Sequence, residues 1–254
     1  RRAFILNEMF QNGFITDDEL AEALADPLRT VQGGDFPSFR STVPPRDYFS
    51  DQVRRQIVEE LGVDSNYFTT AGYSIRATVD AEMQAAASEA LRRALEQFDR
   101  ERGRWRGTGL TIPAEDLATE ESWRAALDDI RIARDITLEN QWYPAVVLEV
   151  GEDQLRLGIE GIGEGEPDPV VPRRDIEWMR GGFADNFTLG DVVHVRKMTA
   201  DSDGSFIRWT LRQVPEVQGA FMAMDVNTGR VIAMQGGFSF QYSQLNRATQ
   251  AHGD

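Results

Sequence analysis

Cysteine is absent from this 254-residue chain, which excludes disulfides and thiolate metal sites. Histidine occurs only as His194 and His252, too few and too far apart for a zinc site. Lysine occurs once, as Lys197, and every other basic residue is arginine. Chemistry that needs a catalytic lysine therefore uses Lys197 or lies outside these residues. Positive charge is scarce overall: 27 basic residues face 42 acidic ones, for a net charge of −15 and a pI of about 4.6. Such a surface repels polyphosphate and argues against sequence-independent nucleic-acid binding. No apolar run approaches the ~18 residues that mark a membrane-spanning helix. No signal-peptide pattern opens the chain. A helical pattern is already under way at residue 1, so the protein is expected to continue upstream of it.

What is present is enough for a folded core. Hydrophobic residues make up 41% of the chain, and the length allows two or three domains. "RRAFILNEMFQN" reads as a helix with Phe4, Ile5 and Met9 on one side, broken by Asn12-Gly13. Thr16 and Glu19 form a capping-box signature for a second helix, with Asp17 and Asp18 in its first turn and Leu20 and Leu24 on one face. An antiparallel helical hairpin fits this pattern. A DNA-binding helix-turn-helix does not, because the second helix is acidic. Gly33, Gly34, Pro37, Pro44 and Pro45 mark a linker over 32–46. Phe49, Val53, Ile57 and Leu61 then recur at helical spacing. "YFTTAGYSIRATVD" reads as a strand ending at Asp80, which suits the N-cap of a helix running to about Arg102. Met83, Ala87, Leu91, Leu95 and Phe98 form the apolar face of that helix. "RGRWRGTGL" is a turn-rich break with arginines around Trp105, either a surface loop or a contact for phosphate or glycan. Residues 119–135 predict a further helix, with Trp123, Leu127 and Ile130 buried.

From Trp142 the period changes. "YPAVVLEV", "QLRLGI", "DVVHVRKM" and "SFIRWTLRQ" are short strands, and "RRDIEWM" is a candidate fifth. Five such strands suit a small OB-type barrel. Such barrels often bind single-stranded nucleic acid through basic grooves. Between Glu139 and Glu216, however, 15 acids stand against eight bases, which argues against that use here. "GAFMAMDVNTGRVIAMQGG" follows, two apolar runs around a turn in which Asn227 and Gly229 tolerate left-handed backbone. Runs greasy on both faces belong in a sheet covered on both sides. A lone two-stranded ribbon is marginal in water, so the ribbon is expected to open a domain that continues beyond this chain.

"VQGAFMAMDVNTGRVIAMQGGFSFQYSQLNRATQA" resembles the opening of the transpeptidase domain of class A, bifunctional penicillin-binding proteins, particularly of the 1A type. "YFSDQVRRQIVEELG" and "TTAGYSIRATVDAEMQAAASEAL" resemble the segment between their two catalytic domains. "RRAFILNEMFQNGFITDDELAEAL" resembles the tail of their glycosyltransferase domain. The resemblance implies a multidomain α+β chain: 1–31, the last glycosyltransferase helices; 32–138, linker and start of the transpeptidase region; 139–216, an OB-like insert; 217–254, the first transpeptidase strands. Gly229, Gly236, Gly237, Asn246 and Arg247 match the family at positions with a structural rather than a catalytic role.

The same resemblance implies a parent enzyme on the periplasmic side of the inner membrane, with a membrane anchor upstream. That enzyme polymerises glycan from peptidoglycan precursors and cross-links stem peptides through an acyl-serine that β-lactams trap. A divalent cation is associated with the glycosyltransferase reaction in the family. An outer-membrane activator at the OB-like domain is an implied partner; nucleic acid is not. Transpeptidation needs Ser-x-x-Lys, but the residue three before Lys197 is His194, and neither Lys-Thr-Gly nor Ser-x-Asn occurs. The glycosyltransferase's glutamate motif is expected upstream. His252, Gly253 and Asp254 depart from the continuation that the family shows after "NRATQA". On its own the chain is therefore expected to be inactive, with no catalytic, cofactor or metal residue. A periplasmic docking module built on the barrel is the alternative reading.

Overall fold

A computed structural model describes residues 2–26, 46–139, 142–163 and 167–251, and the chain divides into two compact units, 1–44 and 45–254. The expected linker at 32–46 therefore lies outside the described residues except for Arg46, and so does His252.

In the first unit, α1 (Arg2–Gln11) and α2 (Asp17–Ala25) form the expected helical hairpin. Arg2 at the start of α1 donates to the carbonyls of Ala23 and Asp26 at the end of α2, so the helices run antiparallel. Thr16 caps α2 in both directions: its hydroxyl accepts from the Glu19 N–H, and the Glu19 carboxylate accepts from the Thr16 N–H at 2.8 Å. Of the expected apolar positions only Leu20 is buried. Phe4, Ile5 and Leu24 are exposed within this unit.

The second unit opens with α3 (Tyr48–Leu61), capped by Asp47 and ended by Gly62 at φ +61°. Phe49 is buried as its spacing predicts, whereas Leu61 is exposed and the neighbouring Tyr48 is more deeply buried than either. The expected strand over 67–80 does not form. Residues 65–70 are instead a short helix, α4 (Ser65–Thr70), because Asp64 caps it by accepting from the Asn66 and Tyr67 N–H groups. Residues 71–80 have no regular structure, though Asp80 N–H and the Thr78 hydroxyl donate to the Ile232 and Val231 carbonyls. Asp80 is the N-cap of α5 (Ala81–Glu101), accepting from the Met83 N–H. Ala87 and Leu95 face inward, but Met83 and Phe98 do not. The buried stripe of α5 is completed by Arg92 and Asp99. The 119–135 helix is shorter than expected: α6 is Glu120–Asp128, and α7 (Arg134–Glu139) follows a break.

The strands β1 (Trp142–Val150), β2 (Gln154–Ile159), β3 (Val170–Pro172), β4 (Val192–Thr199) and β5 (Phe206–Arg212) form an antiparallel sheet in the order β3-β2-β1-β4-β5, with a short helix α8 (Phe183–Asn186) before β4. The fifth strand lies just upstream of the expected "RRDIEWM", whose Arg173–Asp175 forms a single 3-10 turn. That turn brings Asp175 under β5, where its carboxylate accepts from the Leu211 N–H at 2.7 Å and draws the two sheet edges together. Inside the curl, Ala145, Val147, Leu155, Leu157, Val195, Trp209 and Leu211 pack against Phe183 and Phe187. The outer face of β1 is also covered. Val146 packs under Trp123 and Leu127 of α6, and Trp142 under Leu95, Ile136 and Phe238. Strand β1 therefore reads as a continuous apolar run because both its faces are buried.

The final ribbon pairs β6 (Phe221–Met224) with β7 (Val231–Gln235) as a separate two-stranded sheet. Its strands differ. Ala233, Met234 and Gln235 of β7 are buried beside α5 and α3, whereas Phe221 and Met224 of β6 are 43% and 52% exposed. Val226 in the turn is 94% exposed. Two-sided greasiness thus marks an inner strand in β7 and an open apolar edge in β6.

Candidate functional site

Four of the five family-matching residues meet at one junction. Gly229 is apart from them, at φ +69° in the ribbon turn, where a side chain would strain the backbone. Gly236 lies directly beneath Asn246, and Gly237 beneath the Tyr48 hydroxyl and the Arg247 guanidinium. In both places a Cβ would collide with those groups, so glycine is fixed by close approach rather than by backbone angle. Asn246 is buried and holds the segment after β7 in shape. Its side-chain oxygen accepts from the Ala248 N–H, its N–H donates to Gln250, and its amide lies 3.1 Å from the Met234 sulfur. The Arg247 N–H donates to the Gly236 carbonyl. Tyr48 donates its hydroxyl at 3.0 Å to the Ser239 carbonyl and at 2.7 Å to that of Ser243, and burial pushes its pKa up to about 12. These are scaffold bonds: each ties the segment 236–250 to α3, to β7 or to itself.

Two buried carboxylates fasten other segments, Asp135 at this junction and Asp99 at the chain leaving β5. Asp135 of α7 accepts from the Ser239 hydroxyl and the Phe240 N–H, and lies 3.8 Å from Arg92 of α5, whose Nε donates to the Phe238 carbonyl. Asp99, one turn from the end of α5, accepts from Arg106 at 2.6 Å, from Gln213 at 2.7 Å and from the Glu216 N–H. The "RGRWRGTGL" segment is thus a structural strap. Arg106 is committed to Asp99, and Trp105 packs on Phe187 and Trp178 against the core of the five-stranded sheet. The sequence reading missed Tyr48, Arg92, Asp99 and Asp135. A signal existed for α5: Ser88, Arg92, Leu95 and Asp99 follow one another at 4-3-4 spacing, the spacing of a buried face.

His194 stands three residues before Lys197, and β4 carries both in a paired strand. Lys197 lies 5.9 Å from the Phe206 ring. Among the described residues, no three histidine, aspartate or glutamate side chains converge as metal ligands. Among the same residues, no helix is long and apolar enough to cross a membrane.

The family "Penicillin-binding protein OB-like domain" matches residues 105–217, which start at the Trp105 strap and end beyond β5. Penicillin-binding protein 1A of Rickettsia conorii is 30% identical over 254 residues, covering 99% of this chain and 29% of the relative. The protein of the same name from Neisseria lactamica is 31% identical, with 99% and 29% covered. The crystal structure of penicillin-binding protein 1A from Haemophilus influenzae superposes with a TM-score of 0.65 over 98% of this chain and 33% of that one, at 22% identity, which speaks to fold alone. The chain spans under a third of the length of the curated relatives it matches. The chain is thus homologous along its whole length to penicillin-binding protein 1A, with a match to the penicillin-binding protein OB-like domain at its centre.

Proposed function

We propose that this chain is the connecting framework of a bifunctional peptidoglycan synthase, an enzyme that polymerises glycan and cross-links D-Ala-D-Ala stem peptides. The observation that carries the reading is the unbroken match to penicillin-binding protein 1A across both units, with the OB-like domain in its midst. In this reading α1 and α2 end the glycosyltransferase domain, and the ribbon β6–β7 opens the transpeptidase domain. The exposed edge of β6 is where further strands of that domain add. The parent protein faces the periplasm from the inner membrane, takes peptidoglycan precursors and stem peptides, and is acylated by β-lactams. This chain positions the catalytic domains and supplies neither Ser-x-x-Lys nor its partner motifs. A fluorescent penicillin tests the reading. The full-length protein should be labelled covalently and the 254-residue chain should not. A full-length protein that resists labelling, under conditions that label a control penicillin-binding protein, would refute it.

A second reading rests on the barrel surface, where Leu110, Leu189, Phe206 and Ile207 are exposed. There the OB-like domain docks a protein partner such as an outer-membrane activator. Deleting it from the full-length protein should then leave penicillin labelling nearly unchanged while abolishing activation.

A further inference from the structure

The outer face of α5 and the ends of β4 and β5 enclose a cleft of about 340 Å³ with an unusual charge for this chain. Five arginines and three glutamates line it, a local excess of positive charge in a protein whose net charge is −15. The arginines differ in how they are engaged. Arg92 and Arg93 are already held by Asp135 and Glu89. Arg212 is paired with Glu96 at 2.8 Å and also donates to the Thr210 hydroxyl. Arg100 lies over the Trp178 ring, 5.1 Å from its centre, and donates to the Leu211 carbonyl. Arg196 is the exception. The β4–β5 ladder sets it opposite Thr210, two residues from Arg212, and no hydrogen bond or ion pair engages its guanidinium among the described residues.

That arrangement is electrostatically unbalanced. Burial is the first cause that pulls the pKa of both Arg196 and Arg100 below the ordinary arginine value, and the neighbouring Arg212 is the second. Glu96 faces all three guanidinium groups and is held by Arg212, with Glu89 also near Arg196 and Asp175 near Arg100. An arriving anion would relieve the repulsion and complete the donors of Arg196. Guanidinium forks suit planar, two-oxygen acceptors, in bonds stronger than neutral ones. The Trp178 ring offers an apolar wall, and its buried indole N–H has no partner.

We propose that this cleft binds an oxyanion, a carboxylate or a phosphate group, with Arg196 as its principal contact, Arg100 and Arg212 beside it and Trp178 as its wall. The site is independent of the penicillin-binding reading, because no step of that chemistry is assigned to these residues.

Isothermal titration of the 254-residue chain tests it at constant ionic strength in a chloride background, with inorganic phosphate and with tri-glutamate as separate ligands. Saturable one-site binding of either is expected; the ligand that binds more tightly identifies the source as phosphate or peptide carboxylate. Arg196→Gln should weaken that binding about tenfold or more, the scale of a lost charge-assisted contact. Arg196→Lys keeps the charge without the fork and should bind more weakly than the wild type, a check that stands even if the glutamine variant folds poorly. Arg174→Gln, an exposed arginine outside the cleft, should change nothing. Failure of both ligands to saturate, unaltered binding in both Arg196 variants, or equal loss in the Arg174 variant would overturn the proposal.

Discussion

At the scale of single residues, the buried face of β4 places a titratable group where charge is costly. His194 lies opposite Pro144 of β1 and Arg212 of β5, with its ring 5.5 Å from Trp142 and its Nε2 unpaired. Burial lowers its pKa from 6.5 to about 4. Between those values the unfolded chain holds the proton and the folded chain does not. Stability from this group is therefore complete above about pH 6.5 and falls as pH drops toward 4. Between pH 7 and pH 5 the loss amounts to about 2 kcal/mol. Urea unfolding at both pH values should show the wild type losing that much more than His194→Leu, and an equal pH dependence in the two proteins would refute the assignment. Gly158 makes a steric argument instead. A Cβ there would sit 2.8 Å from the Trp123 indole, so β2 can lie under α6 only without a side chain at this position. Gly158→Val should cost about 1–3 kcal/mol by overpacking, measured as a lower urea midpoint. Trp123→Leu in the same chain should recover part of that loss, whereas strictly additive losses would place the strain elsewhere. The burial of neither residue was legible in the sequence, because a lone histidine and a lone strand glycine carry no periodicity to read.

At the scale of elements, the sequence was most legible where a local signal fixes the backbone. Thr16 with Glu19, and Asp80 before α5, announced helix starts that the structure keeps. The apolar runs of β1, β2, β4 and β5 announced strands. Legibility failed where polar groups are buried or where propensity misleads. "YFTTAGYSIRATVD" is rich in strand-favouring residues, yet Asp64 caps a helix at its start and the remainder reaches β7 through only two hydrogen bonds. The inner face of α5 was read from its apolar residues, which placed Met83 and Phe98 inside and left Arg92 and Asp99 out. At the candidate site, resemblance picked out Gly236, Gly237, Asn246 and Arg247, but no local pattern showed that Tyr48, about 190 positions earlier, caps them. Asp99 offers the test at this scale. Its carboxylate joins α5 to the Arg106 strap and to the chain leaving β5. Removing one member of a buried pair costs about 3–5 kcal/mol. Arg106 is partly exposed, so Arg106→Gln should cost nearer to 2 kcal/mol. Combining it with Asp99→Asn should cost less than the two separate losses summed, by about 1 kcal/mol or more. Additive losses would mean that the two groups act independently.

At the scale of the whole molecule, the two units divide the burden of folding unequally. Residues 2–26 form two helices of ten and nine residues, and the only buried hydrophobic among the described residues of this unit is Leu20. Isolated helices shorter than ~12–15 residues are marginal in water, so this hairpin contributes little free energy of its own. The second unit is stabilised differently. Its three apolar clusters interlock, because β1 supplies Val147 to the inside of the curled sheet, Val146 to the layer under α6, and Trp142 to the layer shared with α5 and Phe238. Losing any one cluster exposes a face of β1, which argues for a single cooperative transition across 45–254. The prediction is that a chain beginning at residue 45 unfolds with the same midpoint as the 254-residue chain, within ~1 °C, a shift below the ~2–4 °C expected for 1 kcal/mol in a domain of 150–250 residues. Differential scanning calorimetry of the two chains measures it. Within the shorter chain, Trp142→Ala should lower the midpoint for barrel and ribbon together, followed by near-ultraviolet circular dichroism of the buried tryptophans and by proteolysis at the exposed ribbon turn around Val226. If the ribbon is cleaved at temperatures where the barrel signal is intact, the β1 connection does not transmit stability, and the barrel and the ribbon are separate folding units joined only by sequence.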